Sequence, residues 1–278
     1  MLHLVTNFRR AVWRAFEHDA FATAKAAAYS SILTLFPAFL VMASIVGMSE
    51  DTIAFTREIA YAIGKVLPAG TTALALAYFN TSKIRPGHVI FSASLVALTA
   101  ASGVMVSWMS AFRRAYGIQG NPWGFWKERA MAFLLIPIAA FPMAFATLIV
   151  GFGNQVQNWL SLHTIYELRG AVFLLWTAGR WTIGILTSIA VIALIYHLAI
   201  PRTQSWQRVL PGAVLATVMW FGATVGFGWY VTNYANYAVI YGSLAAVIAL
   251  LVWLYLVSIV VLIGAEFNAL IFPKREMQ

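Results

Sequence analysis

The 278-residue chain is 62% hydrophobic and only 10% charged, and it carries a formal net charge of +9. Soluble domains have about 25% charged residues, so this composition excludes a single soluble core and predicts several membrane spans. The chain contains no cysteine, which excludes disulfides, thiolate metal sites and a thiol nucleophile.

The N-terminal segment 1–18 predicts an interfacial amphipathic helix. At about 100° per residue, Phe8 and Val12 share an apolar face, and Arg10 and Arg14 fall opposite. A basic helix of this kind suits the surface of an anionic leaflet. The alternative is a helix packed on the cytoplasmic end of the protein's own bundle.

Six transmembrane helices are predicted, because about 20 apolar residues span a hydrocarbon core about 30 Å thick. The clearest apolar run is 209–265, which carries no formal charge and is divided into two spans by a polar break at 232–236. The predicted spans are about 24–48, 89–112, 130–153, 171–198, 209–231 and 239–270. The fold class is therefore all-α, with a single six-helix transmembrane domain over residues 1–278.

The first span has a small-residue face and an internal proline. Ala26, Ser30 and Thr34 repeat every four residues, which favours close helix contact. A proline removes one backbone donor and clashes with the preceding turn, so it predicts a kink. The predicted kinks are at Pro37 in the first span and at Pro137 and Pro142 in the third.

Residues 50–88 form the longest polar connection. Amphipathic patterns predict two short surface helices there, at 51–67 and 71–78. In the predicted topology, with both termini cytoplasmic, these helices lie on the extracytoplasmic side.

A polar face along the second span ends at Arg113 and Arg114. Thr99, Ser102 and Gly103 lie on the same side of the helix. Packing against another helix is one explanation for such a face. A polar path that ends at the arginine pair is the sharper alternative.

Arg180 lies about nine residues inside the fourth span. A charged side chain inside the bilayer costs about 2.5 kcal/mol or more, so its position needs a reason. The guanidinium can snorkel to the headgroups, with Trp176 offering a cation–π contact, or it can face a cavity. In the second case Arg180 and Thr187 are candidate substrate-binding residues.

The last two spans supply a packing face and a stripe at helical spacing. In the fifth, the spacing of Gly222 and Gly226 predicts close contact with a neighbouring helix. In the sixth, the stripe includes Tyr241 and Tyr255 as further candidate substrate-binding residues and ends at Glu266. A carboxylate at this depth is expected to pair with a cation. The candidates are Arg113, Arg114 and Lys25.

The distribution of Lys and Arg predicts that both termini are cytoplasmic. The N-terminal segment has four, loop 113–129 has four, and loop 200–208 and the tail have two each. On the other side, the long loop 50–88 has four, loop 154–170 has one and loop 232–238 has none. Short cytoplasmic loops are enriched in these residues. Anionic lipids at that face suit the basic charge, so no nucleic acid is needed as a partner.

Motifs for catalysis, metal binding and nucleotide binding are missing from the sequence. The five histidines are scattered without HExxH spacing, and there is no GxxxxGK[ST] or GxSxG motif. The only aspartates, Asp19 and Asp51, fall on opposite sides of the membrane in the predicted threading. The sequence therefore predicts no catalytic residue, no metal site and no cofactor, and indicates that the protein is not an enzyme.

Four blocks of sequence carry a family resemblance. They are Asp19 with 26–37 (AAAYSSILTLFP), 102–103 (SG) with Trp126, 211–213 (PGA) with Trp220, and 241–255 (YGSLAAVIALLVWLY) with 264–268 (GAEFN). In these residues the chain resembles the YihY/BrkB family of bacterial inner-membrane proteins over nearly its whole length. Ala245 departs from the family pattern, which usually has a second glycine there.

The resemblance implies six spans and an inner-membrane location. The family was formerly labelled ribonuclease BN, and the missing catalytic residues argue against that activity. Some members are linked to virulence or to envelope lipid export.

The functional expectation is a carrier, not driven by ATP, for an anionic lipid or another amphiphile. The alternative is a membrane scaffold or envelope-integrity factor that transports nothing, and a ribonuclease is a disfavoured third. The expected partners are anionic membrane lipids, and the sequence allows a homo-oligomer without indicating one.

Overall fold

The computed structural model describes residues 2–46, 87–163, 169–201, 204–233 and 244–272. Within these ranges the protein consists of seven α-helices and has no strand. The helices are α1 (Leu2–Glu17), α2 (Ala20–Val46), α3 (Gly87–Ala115), α4 (Gly124–His163), α5 (Arg169–Leu198), α6 (Trp206–Asn233) and α7 (Ala245–Ile271).

The predicted all-α class with six spans is confirmed. Six helices, α2 to α7, are long and apolar enough to cross a membrane. Where both ends are described they agree with the predicted spans to within a few residues, except that α4 runs from Gly124 to His163 instead of from about 130 to 153. The predicted surface helices at 51–67 and 71–78, Tyr241 and the first residues of the predicted sixth span lie outside the described residues.

The first helix packs against the helix bundle. Packing on the bundle was one of the two interpretations of segment 1–18, beside a helix that lies on the lipid surface. Helix α1 contacts α7 and, less extensively, α2. Ala11 and Ala15 on its inner face are fully buried, and Phe8 and Val12 pack against the core. Its arginines remain exposed. The small alanines explain the contact, because they let the helix axis approach the bundle closely.

Two glycines let α6 and α7 cross with their backbones in contact. A Cβ placed on Gly212 would lie 2.2 Å from the carbonyl oxygen of Gly264. One placed on Gly264 would lie 2.4 Å from the hydroxyl of Tyr196 and 2.7 Å from the carbonyl oxygen of Gly212. No side chain fits at either position, so the sequence must keep glycine there for the two backbones to meet.

Asn268 locks the same crossing with two hydrogen bonds to the backbone of α6. Its Oδ1 accepts from the Gly212 N–H at 2.6 Å, and its Nδ2 donates to the Val209 carbonyl at 3.0 Å. The side chain is fully buried, so both bonds form away from solvent. From α5, the Tyr196 hydroxyl donates to the Val261 carbonyl of α7 at 2.5 Å. Three spans are therefore joined at one point.

Gly222 and Gly226 do not form, with any of the described helices, the close contact that their spacing predicts. A Cβ on either glycine would have no heavy atom within 4 Å, and both residues are exposed. The four-residue spacing places two small residues on one face, but it does not say which face meets a neighbour. In the first span the small face does meet one, because a Cβ on Gly103 of α3 would lie 2.9 Å from Ser30 Oγ.

The prolines inside the spans do not end their helices. α2 runs unbroken past Pro37, and α4 runs past Pro137 and Pro142. The kink at each proline stays a prediction.

Most of the charged side chains of the described structure gather at one end of the bundle. The α1–α2 junction, the end of α3, the start of α4, the start of α6 and the end of α7 all lie there. We call this the charged end, defined by His18, Arg113, Arg114, Glu128 and Glu266. Arg180 lies near the other end, because it precedes Tyr196 of the α5–α7 contact by about 24 Å of helix rise.

Candidate functional site

Arg180 is held between α4 and α5 by a glycine notch. A Cβ placed on Gly153 would lie 2.6 Å from Arg180 Nη1 and 2.8 Å from its Cδ, so the guanidinium lies where only glycine leaves room. One turn earlier on α5, Trp176 Nε1 donates to the Gly153 carbonyl at 2.7 Å. The indole thus ties α5 to α4 at this point, and its suggested cation–π contact with Arg180 stays a prediction. Arg180 is half-buried in this position.

A cavity of about 160 Å³ lies beside this arginine, between α4, α5 and α6. Trp181 and Gly184 of α5 line it, but Arg180 itself does not. The hydroxyls of Thr147 and Ser188 also line it, and each donates to a carbonyl of its own helix. The wall is therefore largely apolar and suits hydrocarbon better than water.

Trp220 provides one unused polar group on the cavity wall. Its ring lines the cavity from α6, and its Nε1 is buried without a hydrogen-bond partner among the described residues. A buried N–H without a partner costs about 1–3 kcal/mol, so this indole is a destabilising feature of the α6 wall.

Of the other substrate-binding candidates, the structure describes Thr187 and Tyr255, and neither lines the cavity. Thr187 is half-buried on α5 but does not line the cavity, whereas Ser188 does, because one residue turns the face by about 100°. Tyr255 is half-buried against the core on α7. Tyr241 lies outside the described residues.

At the charged end, Glu266 is paired directly with His18, a residue that was not among the three predicted cations. The Glu266 carboxylate is almost fully buried, and its Oε1 lies 2.7 Å from His18 Nδ1. No ion pair to Arg113, Arg114 or Lys25 is found among the described residues. The reason is that the α1–α2 junction folds over the end of α7, where it places His18 directly on the carboxylate.

The arginine pair is fully engaged, so the polar path suggested by the sequence does not end at a free charge. Arg113 Nη1 is bonded to the Glu128 carboxylate, and both side chains are 10% exposed. Arg114 donates from Nε to the His18 carbonyl at 2.8 Å and from Nη2 to the Thr23 hydroxyl. Arg114 therefore fastens the α1–α2 junction to the end of α3.

Tyr116 follows α3 and is buried near Glu266 at the charged end. Burial raises the pKa of its phenol well above the usual range, and the nearby Glu266 carboxylate adds to the effect. The hydroxyl therefore stays neutral at physiological pH and contributes no charge at that end.

The described residues contain no group of three or more His, Asp or Glu side chains that could hold a metal ion. Glu128 and Glu266 each have their own cationic or imidazole partner. A metal-assisted hydrolytic centre needs clustered ligands around its ion, and the described part of the chain does not assemble one.

Glu266→Ala should lower the melting temperature in detergent, because it removes the hydrogen bond to His18 and leaves a void under the α1–α2 junction. We expect a loss of about 1–3 kcal/mol of unfolding free energy, since His18 is partly exposed and stays hydrated. Glu266→Gln keeps an oxygen acceptor and should lose less. Glu17→Ala is the control, because Glu17 is exposed and its carboxylate meets only Trp13 in the described contacts. Equal melting of Glu266→Ala and Glu17→Ala would show that the pair is not stabilising.

Three residues of these sites were missed in the sequence. Gly153 could have been flagged by its place in an apolar helix, but nothing pairs it with Arg180 in the sequence. His18 directly follows the predicted N-terminal helix, and a residue at such a chain reversal can point its side chain into the bundle. Asn268 was visible as a polar residue inside the last span, where an amide needs a hydrogen-bond partner.

Comparison with known proteins gives a match over nearly the whole chain. The family model described as "Virulence factor BrkB" matches residues 11–277. A ribonuclease-like protein, YfkH, of Bacillus subtilis (strain 168) is 28% identical over 94% of this chain and 93% of its own length. A UPF0761 membrane protein of Tolumonas auensis is 27% identical over 95% of this chain and 84% of its own. No solved structure matches the chain.

Proposed function

Because this chain belongs to the BrkB family of multi-pass membrane proteins, we propose that it binds an anionic amphiphile within the bilayer and carries it between leaflets. The observation that carries the proposal is Arg180, seated in the Gly153 notch within one helical turn of an apolar cavity that Trp181 and Gly184 line. The arginine receives the anionic head group, and the cavity receives part of the hydrocarbon chain.

The chemistry of Arg180 suits an anionic head group, and that of the cavity suits a hydrocarbon chain. A guanidinium can bind a phosphate or carboxylate through two hydrogen bonds, which a lysine does less well. The cavity, at about 160 Å³, is smaller than the ~300–1,000 Å³ of sites that enclose a small molecule. It therefore suits a segment of one acyl chain while the rest of the amphiphile stays in the membrane.

The energy source of the proposed carrier is a gradient of the amphiphile or of an ion, since the sequence has no nucleotide-binding motif. The alternative is a scaffold that transports nothing, in which Arg180 only anchors α5 at the headgroups. The name of the Bacillus relative raises ribonuclease activity as a third candidate, and no metal-ligand cluster in the described residues favours it.

Arg180→Ala should reduce binding and transbilayer movement of a fluorescent phosphatidylglycerol in liposomes by about tenfold or more. A hydrogen bond to a charged group contributes about 1.5–3 kcal/mol, which corresponds to that range. Arg180→Lys should retain part of the activity. Gly153→Ala should act in the same direction, because the added methyl displaces the guanidinium.

Gly179→Ala is the matched control for the glycine variant. Gly179 lies next to Arg180, but a Cβ there would have no heavy atom within 4 Å. It should bind and move the lipid like the wild type. If folded Arg180→Ala and Gly153→Ala proteins also match the wild type, or if the wild type handles no anionic lipid, the scaffold alternative replaces the carrier.

The proposal also places the protein in the inner membrane with the charged end in the cytoplasm. Nine Lys and Arg residues of the described chain lie at that end, and only Arg169 and Arg180 lie toward the other. The nine are Arg9, Arg10, Arg14, Lys25, Arg113, Arg114, Lys127, Arg129 and Arg208. Such an asymmetry favours a cytoplasmic location for the richer end.

Single cysteines at the two ends of α6 should test this orientation, because the chain has no native cysteine. Asn233→Cys, exposed at the C-terminal end, should react with an impermeant thiol reagent on intact spheroplasts. Gln207→Cys, exposed at the N-terminal end, should react only after permeabilisation. The reverse labelling pattern would invert the orientation.

A further inference from the structure

We propose that the cleft between α1 and the end of α7 is a binding site for the phosphate head group of an anionic phospholipid in the adjacent leaflet. This site is separate from the proposed Arg180 site and lies at the opposite end of the bundle. The cleft has a volume of about 780 Å³, and its lining includes Arg9, Arg10, Arg14, Trp13, Glu17 and Leu270. We call it the arginine cleft.

The positive charge of the arginine cleft is available to a ligand. Arg9, Arg10 and Arg14 are exposed, and among the described residues that line the cleft Glu17 supplies the single carboxylate. That carboxylate accepts a hydrogen bond from Trp13 Nε1 at 2.7 Å. The three guanidiniums therefore outnumber the one acidic group, and an anion compensates the excess.

An aromatic flank beside the arginines indicates that the anion belongs to a lipid. Trp13 and Phe16 are 64% and 66% exposed, and their rings lie 6.2 Å apart. The row continues to Phe21, at 6.1 Å from Phe16. Exposed aromatic rings next to basic side chains fit the boundary between head groups and acyl chains. A free phosphate ion or a nucleic acid backbone has no hydrocarbon to cover such a flank.

The position of α1 supports the same occupant. The helix is fixed to the bundle by its buried alanines, and its C-terminal end is held by the His18–Glu266 pair. The arginines therefore project from a helix whose position on the bundle is set. Leu270, near the end of a span, lines the cleft and places it at the membrane boundary.

The test is native mass spectrometry of the full-length protein with equal amounts of phosphatidylglycerol and phosphatidylcholine of the same acyl chains. The wild type should retain phosphatidylglycerol preferentially. The double variant Arg9→Gln/Arg10→Gln should lose about tenfold or more of this preference, because each basic residue near an anionic surface contributes about 1 kcal/mol. Both side chains are exposed, so the fold should be kept, and an unchanged melting temperature checks this.

The matched control is Lys25→Gln/Lys127→Gln, which removes two exposed positive charges from the same end of the bundle but outside the cleft. It should keep the preference. Adding inorganic phosphate should not displace the lipid at concentrations near that of the lipid, because phosphate lacks the acyl chain. Equal loss in both double variants, no loss in the arginine variant, or displacement by equimolar phosphate would each overturn the proposal.

Discussion

Gly264→Ala should sharply lower the melting temperature and the yield of folded protein in detergent. The added Cβ would lie 2.4 Å from the Tyr196 hydroxyl, 2.7 Å from the Gly212 carbonyl oxygen and 2.9 Å from Ala216 Cβ. Two of these neighbours are a backbone atom and a buried Cβ, which cannot swing aside as the end of a flexible side chain can. The α6–α7 crossing must therefore widen, and the hydrogen bonds made there must stretch or break.

The expected cost of Gly264→Ala is about 1–3 kcal/mol from overpacking, with more if the Tyr196 bond to Val261 is lost. Gly212→Ala should behave alike, because its Cβ would lie 2.2 Å from a backbone oxygen. Gly222→Ala on the same helix is the control, since nothing lies within 4 Å of that position. Alanine favours the helix more than glycine, so this control should melt at the wild-type temperature or slightly above it. Similar melting of the three variants would contradict the tight crossing.

Glu128→Ala should cost about 3–5 kcal/mol of unfolding free energy, because it leaves the Arg113 guanidinium buried without its carboxylate. The variant also removes the acceptor of the hydrogen bond from Asn121 Nδ2, which is 2.6 Å long. Arg113→Ala should cost a similar amount for the converse reason. Denaturant unfolding in detergent, with each variant measured singly, gives the free energies.

The double variant Arg113→Met/Glu128→Met distinguishes a buried ion pair from two independent contacts. It removes both charges and keeps apolar volume, so it should be more stable than either single alanine variant. Lys127→Ala is the control for position, because Lys127 is exposed and precedes Glu128, and its effect should stay within about 0.5 kcal/mol. Additive costs in the double variant would contradict a coupled pair.

The positions of the six spans could be predicted from the sequence because they depend on composition alone. A run of about 20 apolar residues satisfies its backbone hydrogen bonds only as a helix in the bilayer, whatever its neighbours are. The run 209–265 and its polar break therefore predicted the two last spans, which the structure places at Trp206–Asn233 and Ala245–Ile271. The helix α1 was predicted from a different signal, the helical period of the apolar residues in segment 1–18.

The family motifs could be recognised in the sequence, but their role could not. The blocks 211–213 and 264–268 carry the resemblance, and in the structure they meet as the α6–α7 crossing. Sequence order separates them widely, and nothing in either block says that the two glycines touch. Their function as a joint between spans became visible only when the helices were packed.

Which side chains pair across the bundle was decided by the tertiary structure alone. His18 and Glu266 are 248 positions apart, and their contact depends on the fold of the α1–α2 junction over α7. Arg113 pairs with Glu128, and Arg180 lies in the Gly153 notch. Both contacts depend on how each helix is rotated and how deep each residue lies in the bundle. Hydrophobicity fixes that a segment crosses the membrane, since burial in lipid needs only an apolar helix surface. Two side chains on different helices can pair only if both helices are rotated to the right angle, within a fraction of a turn. The packing of the helices against each other sets that rotation.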